Sequence, residues 1–175
     1  MLRRLTVDDA AFILELLTDP AFMRFVGDRG VRNIEDARNY IVHGPLESYE
    51  RLGFGLLRVE LKDTGVAIGI CGLLKRPALD DVDLGFAVLP QFRGAGYAYE
   101  SAAAVMGHAR ADLALERIVA IANPANAASI RVLEKIGLRF DRMIRLSAEG
   151  PEVGLYVGGL RGPDQVTARA QGAGV

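Results

Sequence analysis

The sequence predicts an α/β fold in which helices cover both faces of a mixed sheet. Apolar residues recur at strand and helix spacings in the order β-α-α-β-β-β-α-β-α-β-β. A hairpin signal at residues 62–65 indicates antiparallel strands in the first half, whereas helices separate the strands of the second half, as in βαβ units. Together the two halves indicate one sheet of mixed strand direction.

Capping patterns predict the first two helices. Thr6 and Asp9 resemble a capping box ahead of apolar residues at helical spacing. Asn33 and Asp36 repeat that pattern before the second helix. The Gly-Pro pair at residues 44–45 is expected to interrupt this second helix, because proline lacks the amide that a helix interior requires.

The other predicted elements follow from apolar periodicity and turn residues. They are strands over residues 2–6, 54–61, 66–74, 81–89 and 117–122, helices over 98–113 and 126–137, and a closing antiparallel pair over 138–146 and 152–157. Asn126 is the expected N-cap of the last helix, and Gly137 its C-terminal cap.

Length, charge and cysteine content narrow the classes of function. The 175 residues fit a single domain, predicted over residues 1–158, with a flexible tail over residues 159–175. A net charge of −1 gives no reason to expect nucleic acid as a partner, and no apolar run is long enough to predict a membrane span. Cys71 is the only cysteine, which excludes an intrachain disulfide and favours a cytoplasmic setting.

The glycine-rich stretch at residues 91–98, Gln-Phe-Arg-Gly-Ala-Gly-Tyr-Ala, is the most informative segment of the chain. It lies between a predicted strand and an alanine-rich predicted helix. Two glycines let the backbone turn tightly and approach a ligand closely. The following helix begins with unpaired amides and a partial positive charge, so the unit predicts a site for phosphate or pyrophosphate.

Three phosphate motifs compete for this loop. A P-loop requires Gly-Lys-Ser/Thr, which is absent here. The dinucleotide fingerprint requires a third small residue where the chain has Tyr99, and it would open a βαβ unit rather than follow a hairpin. The third motif, Gln-x-x-Gly-x-Gly between a strand and a helix, fits residues 91–96 best.

That motif resembles the acetyl-CoA motif of the GNAT superfamily of N-acetyltransferases. A second block, residues 123–137, is similar to the Asn-x-x-Ser-x-x-x-Leu-Glu-Lys-x-Gly helix of the ribosomal-protein N-terminal acetyltransferase branch. The resemblance covers residues 1–158. It implies a central mixed, mostly antiparallel sheet of six to seven strands, flanked by about four helices and splayed between the fourth and fifth strands.

The resemblance also implies a reaction. An acetyl group would move from acetyl-CoA to a primary amine, a protein N-terminus or a small molecule, by direct transfer in a ternary complex without a metal. A homodimer is compatible by analogy with the family. Two alternatives stay open: a non-catalytic CoA-binding regulatory module, and the same chemistry with another acyl donor such as succinyl-CoA.

The resemblance assigns the donor to three segments. The amides of the loop would hold the pyrophosphate, the backbone of the strand over 81–89 would pair with the pantetheine arm, and the Asn126 side chain would contact that arm. The Val88 amide would serve the oxyanion, and Gly85 is a suitable place for a bulge. Tyr99 stands where family members often carry threonine or serine, so one side-chain contact to phosphate is not expected here. The expected binding residues are Phe86, Ala87, Val88, Arg93, Gly94, Ala95, Gly96, Tyr97, Ala98 and Asn126.

Two residues are the expected catalytic groups. Asp83, and less strongly Asp81, would accept the amine proton through a water if burial raised its pKa. Ser129 would, by resemblance, protonate the departing thiolate. Both have plainer interpretations, a solvated carboxylate for Asp83 and helix packing for Ser129. His43 and His108 are bases by residue type alone, Glu134 and Cys71 are expected to be structural, and no residue spacing indicates a metal site.

Overall fold

A computed structural model describes residues 1–159, which form one seven-stranded sheet with helices on both faces. The strand order is β1-β2-β3-β4-β5-β7-β6, and every neighbouring pair is antiparallel except β4 and β5. This confirms the predicted fold class. The strands are β1 (Leu2–Arg4), β2 (Leu56–Glu60), β3 (Ala67–Leu74), β4 (Asp83–Val88), β5 (Arg117–Ala122), β6 (Arg139–Arg145) and β7 (Glu152–Gly159).

Two helical layers cover the sheet. The α-helices of the described residues are α1 (Ala10–Leu17), α2 (Pro20–Phe25), α3 (Ile34–Ile41), α4 (Glu47–Leu52), α5 (Tyr97–Ala111) and α6 (Ala127–Lys135). Alternate residues of β3 face opposite layers. Cys71 and Leu73 belong to the core beneath α5 and α6, whereas Ile70 belongs to the core beneath α1 and α3.

The sheet separates between β4 and β5. The only register pair of these parallel strands is Asp83 with Val119, at the start of β4, and the strands diverge beyond it. On its other side β4 stays paired with β3 along its whole length. The divergence confirms the predicted splay, and it leaves one backbone edge of β4 open toward the C-terminal end of the strand.

The helices of the first half depart from prediction in one place and follow it in another. Helix α2 was not predicted, although Asp19 is its N-cap, accepting the Phe22 amide at 2.9 Å, and Pro20 occupies its first position. The Gly-Pro pair at residues 44–45 interrupts the second helix, as predicted. The chain passes through a π-helical turn, Val42–Leu46, and continues into α4, because the wider turn accommodates the missing proline amide.

Gly85 is not the site of a bulge. The β3–β4 register is continuous from the Gly69–Val88 pair to the Leu74–Asp83 pair, so the predicted irregularity is wrong. A Cβ at Gly85 would lie 2.7 Å from Leu74 Cδ1, which shows that glycine there relieves crowding between strands.

The predicted flexible tail, residues 159–175, is untested except at its first residue. Gly159 is the last residue of β7, and residues 160–175 of the predicted tail lie outside the described residues. Among the helices of residues 1–159, none combines the length and apolar character needed to cross a membrane.

Candidate active site

The glycine loop connects β4 to α5 through two left-handed residues. After a 3₁₀ turn over Pro90–Phe92, Gly94 and Gly96 adopt φ values of +79° and +88°. A Cβ at either position would meet no atom within 4 Å. The requirement for glycine therefore comes from backbone conformation, and the space beside both residues is open to a ligand.

The loop presents a run of unpaired amides. Within residues 1–159, the amides of Gly94, Ala95 and Gly96 have no intramolecular acceptor, and those of Tyr97 and Ala98 lie in the first turn of α5. The Arg93 amide differs, because it donates to the Pro90 carbonyl at 3.2 Å. The predicted cradle of residues 93–98 is thus shortened to residues 94–98, which still combine free donors with the positive end of a helix.

The Arg93 side chain lies against the protein rather than toward the loop opening. Its Nε donates to the Val88 carbonyl at 2.9 Å, and its Nη2 contacts Asp19 Oδ1 at the start of α2. Burial alone would raise the pKa of Asp19, but the contact with Arg93 and the Phe22 amide lower it. Arg93 therefore joins the loop to β4 and α2, and the prediction of a phosphate contact by its guanidinium is corrected.

The open edge of β4 consists of alternate residues. The Leu89 amide donates to the Ile68 carbonyl at 2.9 Å, which places residues 85, 87 and 89 in the hydrogen-bonded pairs with β3. The backbone groups of Phe86 and Val88 therefore point into the splay. The prediction that the Ala87 backbone is free to pair with a ligand is wrong, because its N–H and C=O face Ile70 of β3.

Helix α6 brings Asn126 and Ser129 to the other wall of the splay. Asn126 Oδ1 accepts the Ser129 amide at 3.2 Å and so caps the helix, as predicted from its position. The side-chain nitrogen Nδ2 of Asn126 and the Ser129 hydroxyl have no partner within the described part of the chain. Gly137 follows the helix at φ +94°.

A cavity of about 360 Å³, here called the donor cavity, unites these segments. It lies between the glycine loop, the open edge of β4 and the start of α6, and α2 closes one side. Its lining includes the predicted residues Phe86, Ala87, Val88, Arg93, Gly94, Gly96, Tyr97, Ala98, Asn126 and Ser129, together with the exposed Tyr99. Ala95 is in the loop but does not line the cavity.

Asp83 is fully buried at the start of β4. Its Oδ2 accepts Arg76 Nε at 2.8 Å, while Oδ1 has no hydrogen-bond partner among the described residues. Burial raises the pKa of Asp83, and the Arg76 guanidinium partly opposes that shift. Asp83 is therefore not the solvated carboxylate of the plainer interpretation. A second cavity of about 330 Å³, the carboxylate cavity, is lined by Asp83, Asn126 and Ser129.

The other candidate residues lie away from this arrangement. Asp81 pairs with Arg117 at 3.1 Å on the surface. His108 pairs with Asp112 on the exposed face of α5. Cys71 is buried, which raises its pKa to about 12 and makes it unreactive. Within residues 1–159, no group of three or more His, Cys, Asp or Glu side chains could hold a metal.

A third cavity of about 440 Å³, the acceptor cavity, lies on the α3 and α4 side of β4. Phe86 lines all three cavities, so they meet at the middle of β4. Sequence reasoning missed much of this lining. Arg29 and Arg76 come from loops, and Phe22 and Val26 come from α2 and its end. Only α2 had a recognisable signal, the Asp-Pro pair that starts it.

Comparison with known proteins agrees with this geometry. Residues 1–139 match the family model described as acetyltransferase (GNAT) domain. The chain belongs to the GNAT acetyltransferase family. This confirms the family and the enzyme class, N-acetyltransferase, that the two sequence blocks predict.

Relatives of this GNAT protein resemble it over most of their length. The uncharacterised N-acetyltransferase YnaD of Bacillus subtilis is 27% identical over 139 residues, 79% of this chain and 78% of the relative. A crystal structure of an acetyltransferase from Agrobacterium tumefaciens is 27% identical, with a TM-score of 0.76 over 90% of this chain and 88% of that one.

The ribosomal-protein branch is not distinguished by these comparisons. The ribosomal-protein-S5-alanine acetyltransferase of Vibrio fischeri has a TM-score of 0.75 over 90% of this chain and 91% of that one, but it is 14% identical. A likeness at that identity shows the fold alone.

Proposed function

We propose that this GNAT protein transfers an acetyl group from acetyl-CoA to a primary amine by direct transfer in a ternary complex. The observation that carries the proposal is the donor cavity. Gly94, Gly96 and the first turn of α5 line the same space as the open edge of β4, Asn126 and Ser129. A phosphate-linked, extended thioester has the shape and polarity that this surface accommodates.

The two donor-binding segments would act on different parts of acetyl-CoA. The loop amides and the start of α5 would hold the pyrophosphate, with hydrogen bonds to charged groups contributing about 1.5–3 kcal/mol each. The backbone groups of Phe86 would pair with the amides of the pantetheine arm, in the manner of an added strand. The Val88 amide is kept for the oxyanion, since the Val88 carbonyl already accepts Arg93 Nε. The side-chain Nδ2 of Asn126 would donate a hydrogen bond to the same arm.

The transfer needs four groups in order. The neutral amine attacks the thioester carbonyl, forming the C–N bond, and the Val88 amide stabilises the resulting oxyanion. The amine proton passes through a water to Asp83, a lining residue of the carboxylate cavity whose Oδ1 has no hydrogen-bond partner among the described residues. The carbonyl then re-forms as the C–S bond breaks, and the Ser129 hydroxyl donates a hydrogen bond to the thiolate while relaying a proton to it from solvent water.

The acceptor would enter from the face opposite the donor. The acceptor cavity and the donor cavity share Phe22, Val26, Phe86 and Ala87, so an amine in one can approach a thioester in the other. Both a protein N-terminus and a small amine meet this requirement.

The test is release of free thiol from acetyl-CoA across a panel of amines, with the variants Asp83→Asn and Ser129→Ala. We expect turnover by the parent protein and a loss of kcat in both variants, with little change in the Kd for acetyl-CoA measured by calorimetry. Thermal unfolding of each variant controls for the buried Asp83–Arg76 pair. Binding of acetyl-CoA without turnover of any amine would indicate the non-catalytic module instead.

A further inference from the structure

The acceptor cavity is strongly basic. Among its lining residues, Arg29, Arg51, Lys75 and Arg76 carry positive charge, and the one carboxylate is that of Glu47. Glu47 is paired with His43 at 2.9 Å on the neighbouring helical turn. The net charge of the chain is −1, so this concentration of positive charge is a local feature rather than a property of the whole surface.

Most of that positive charge is not neutralised by the protein. Arg76 is the exception, since it pairs with Asp83. The Lys75 ammonium donates to the carbonyls of Leu79 and Asp80, which satisfy its hydrogen bonds but not its charge. Within residues 1–159, neither Arg29 nor Arg51 has a carboxylate within 4 Å.

Tyr40 adds a neutral hydrogen-bond donor to the same cavity as Arg29 and Arg76. Burial raises the pKa of its phenol, while the nearby charges of Arg29 and Arg76 act in the opposite direction. All three residues line the acceptor cavity. A phenol and a planar guanidinium together form a suitable receptor for the oxygens of a carboxylate or phosphate.

We propose that the acceptor is a small primary amine that carries an anionic group, and that Arg29 determines this specificity by binding the anion beside Tyr40. The inference rests on the proposed acetyl transfer, because it assigns the substrate class of that reaction. Polyamines and other polycations would meet like charge on entering the cavity, which disfavours them. The volume of about 440 Å³ suits a small molecule.

Matched amines test the proposal by thiol release from acetyl-CoA. The pairs are alanine with alaninamide, and O-phosphoethanolamine with ethanolamine, and spermidine is the polycation. We expect kcat/KM to be about tenfold or more higher for the anionic member of at least one pair. Alanine has the more basic amine and hence the smaller neutral fraction, so amine protonation alone would favour alaninamide instead. The pair with the larger ratio identifies carboxylate or phosphate as the preferred anion.

Two variants locate the effect. In Arg29→Gln the ratio within the preferred pair should fall toward one, because kcat/KM for the anionic member falls by about tenfold or more. Arg38→Gln is the matched control, because Arg38 is an exposed arginine of α3, paired with Glu35 at 3.6 Å, that does not line the cavity. Equal rates within both pairs, a preference for spermidine, or an unchanged ratio in Arg29→Gln would overturn the proposal.

A binding measurement separates this proposal from the reaction itself. The same pairs are added to the parent protein and to Arg29→Gln in the presence of CoA, and thermal stabilisation is recorded. If the anionic amine stabilises the parent protein but not Arg29→Gln, the specificity is supported even when no amine turns over. In that case only the proposed acetyl transfer fails. Absence of stabilisation by either anionic amine would overturn the specificity.

Discussion

At the scale of single residues, the backbone conformation of Gly96 is the strongest requirement of the loop. Its φ of +88° is unfavourable for any residue with a Cβ, although no atom would collide with that Cβ. We expect Gly96→Ala to lower the free energy of unfolding by about 1 kcal/mol. The shifted amides should also weaken acetyl-CoA binding, which calorimetry would measure alongside urea unfolding.

Gly107 supplies the matched control for that change. It lies inside α5, outside the left-handed region, and a Cβ there would also meet no atom within 4 Å. Gly107→Ala should stabilise the protein by about 0.5–1 kcal/mol and leave acetyl-CoA affinity unchanged. If both alanine variants bound acetyl-CoA like the parent protein, the loop would not be the site of the pyrophosphate.

At the scale of elements, comparing the N-caps of two helices distinguishes the capping role of Asn126 from its proposed role in binding acetyl-CoA. Asn126 caps α6 and lines the donor cavity, whereas Asn33 caps α3 by accepting the Asp36 amide at 2.9 Å and lies outside that cavity. Each change to alanine should cost about 1 kcal/mol of stability. Only Asn126→Ala should also raise the KM for acetyl-CoA. Equal KM values for acetyl-CoA in the two variants would show that Asn126 only caps its helix.

The elements predicted best are those whose signals are local. Strand β5 has the predicted bounds, and the ends of α6 follow from a capping asparagine and a left-handed glycine. The interpretation of Gly85 as a bulge failed because its role depends on Leu74 of the neighbouring strand. Ala87 failed for a related reason, since strand register decides which backbone groups are free.

At the scale of the whole molecule, the acceptor cavity shows what local patterns leave out. Arg29 and Arg76 lie 47 positions apart in the sequence, and neither stands in a motif that distinguishes it from an ordinary surface arginine. The fold brings both guanidinium groups to the same cavity as Tyr40. The loop motif could be recognised because its residues are consecutive, whereas the acceptor side depends on contacts between distant segments.

A buried ionic cluster joins three segments at the β1 edge of the sheet and predicts how stability depends on pH. Asp9 Oδ1 contacts Arg3 Nη2 at 2.7 Å and Arg58 Nη1 at 2.6 Å, and Oδ2 accepts the Thr6 amide at 2.9 Å. Burial alone would raise the pKa of Asp9, but these partners outweigh burial and lower the pKa from 3.8 to about 2. The folded state thus favours the ionised carboxylate.

The sign of the effect follows from that lowered pKa. The stabilisation, about 2 kcal/mol, is fully present above about pH 5 and is lost as the pH falls through the folded-state pKa of about 2. Asp9→Asn should therefore lower stability at pH 7 and flatten its change between pH 4 and 2, as measured by urea unfolding. Asp28→Asn is the control, because Asp28 also has a pKa of about 2 but pairs with Arg32 in solvent, where screening leaves little net stabilisation. An Asp9→Asn profile parallel to that of the parent protein would show that this cluster does not govern acid stability.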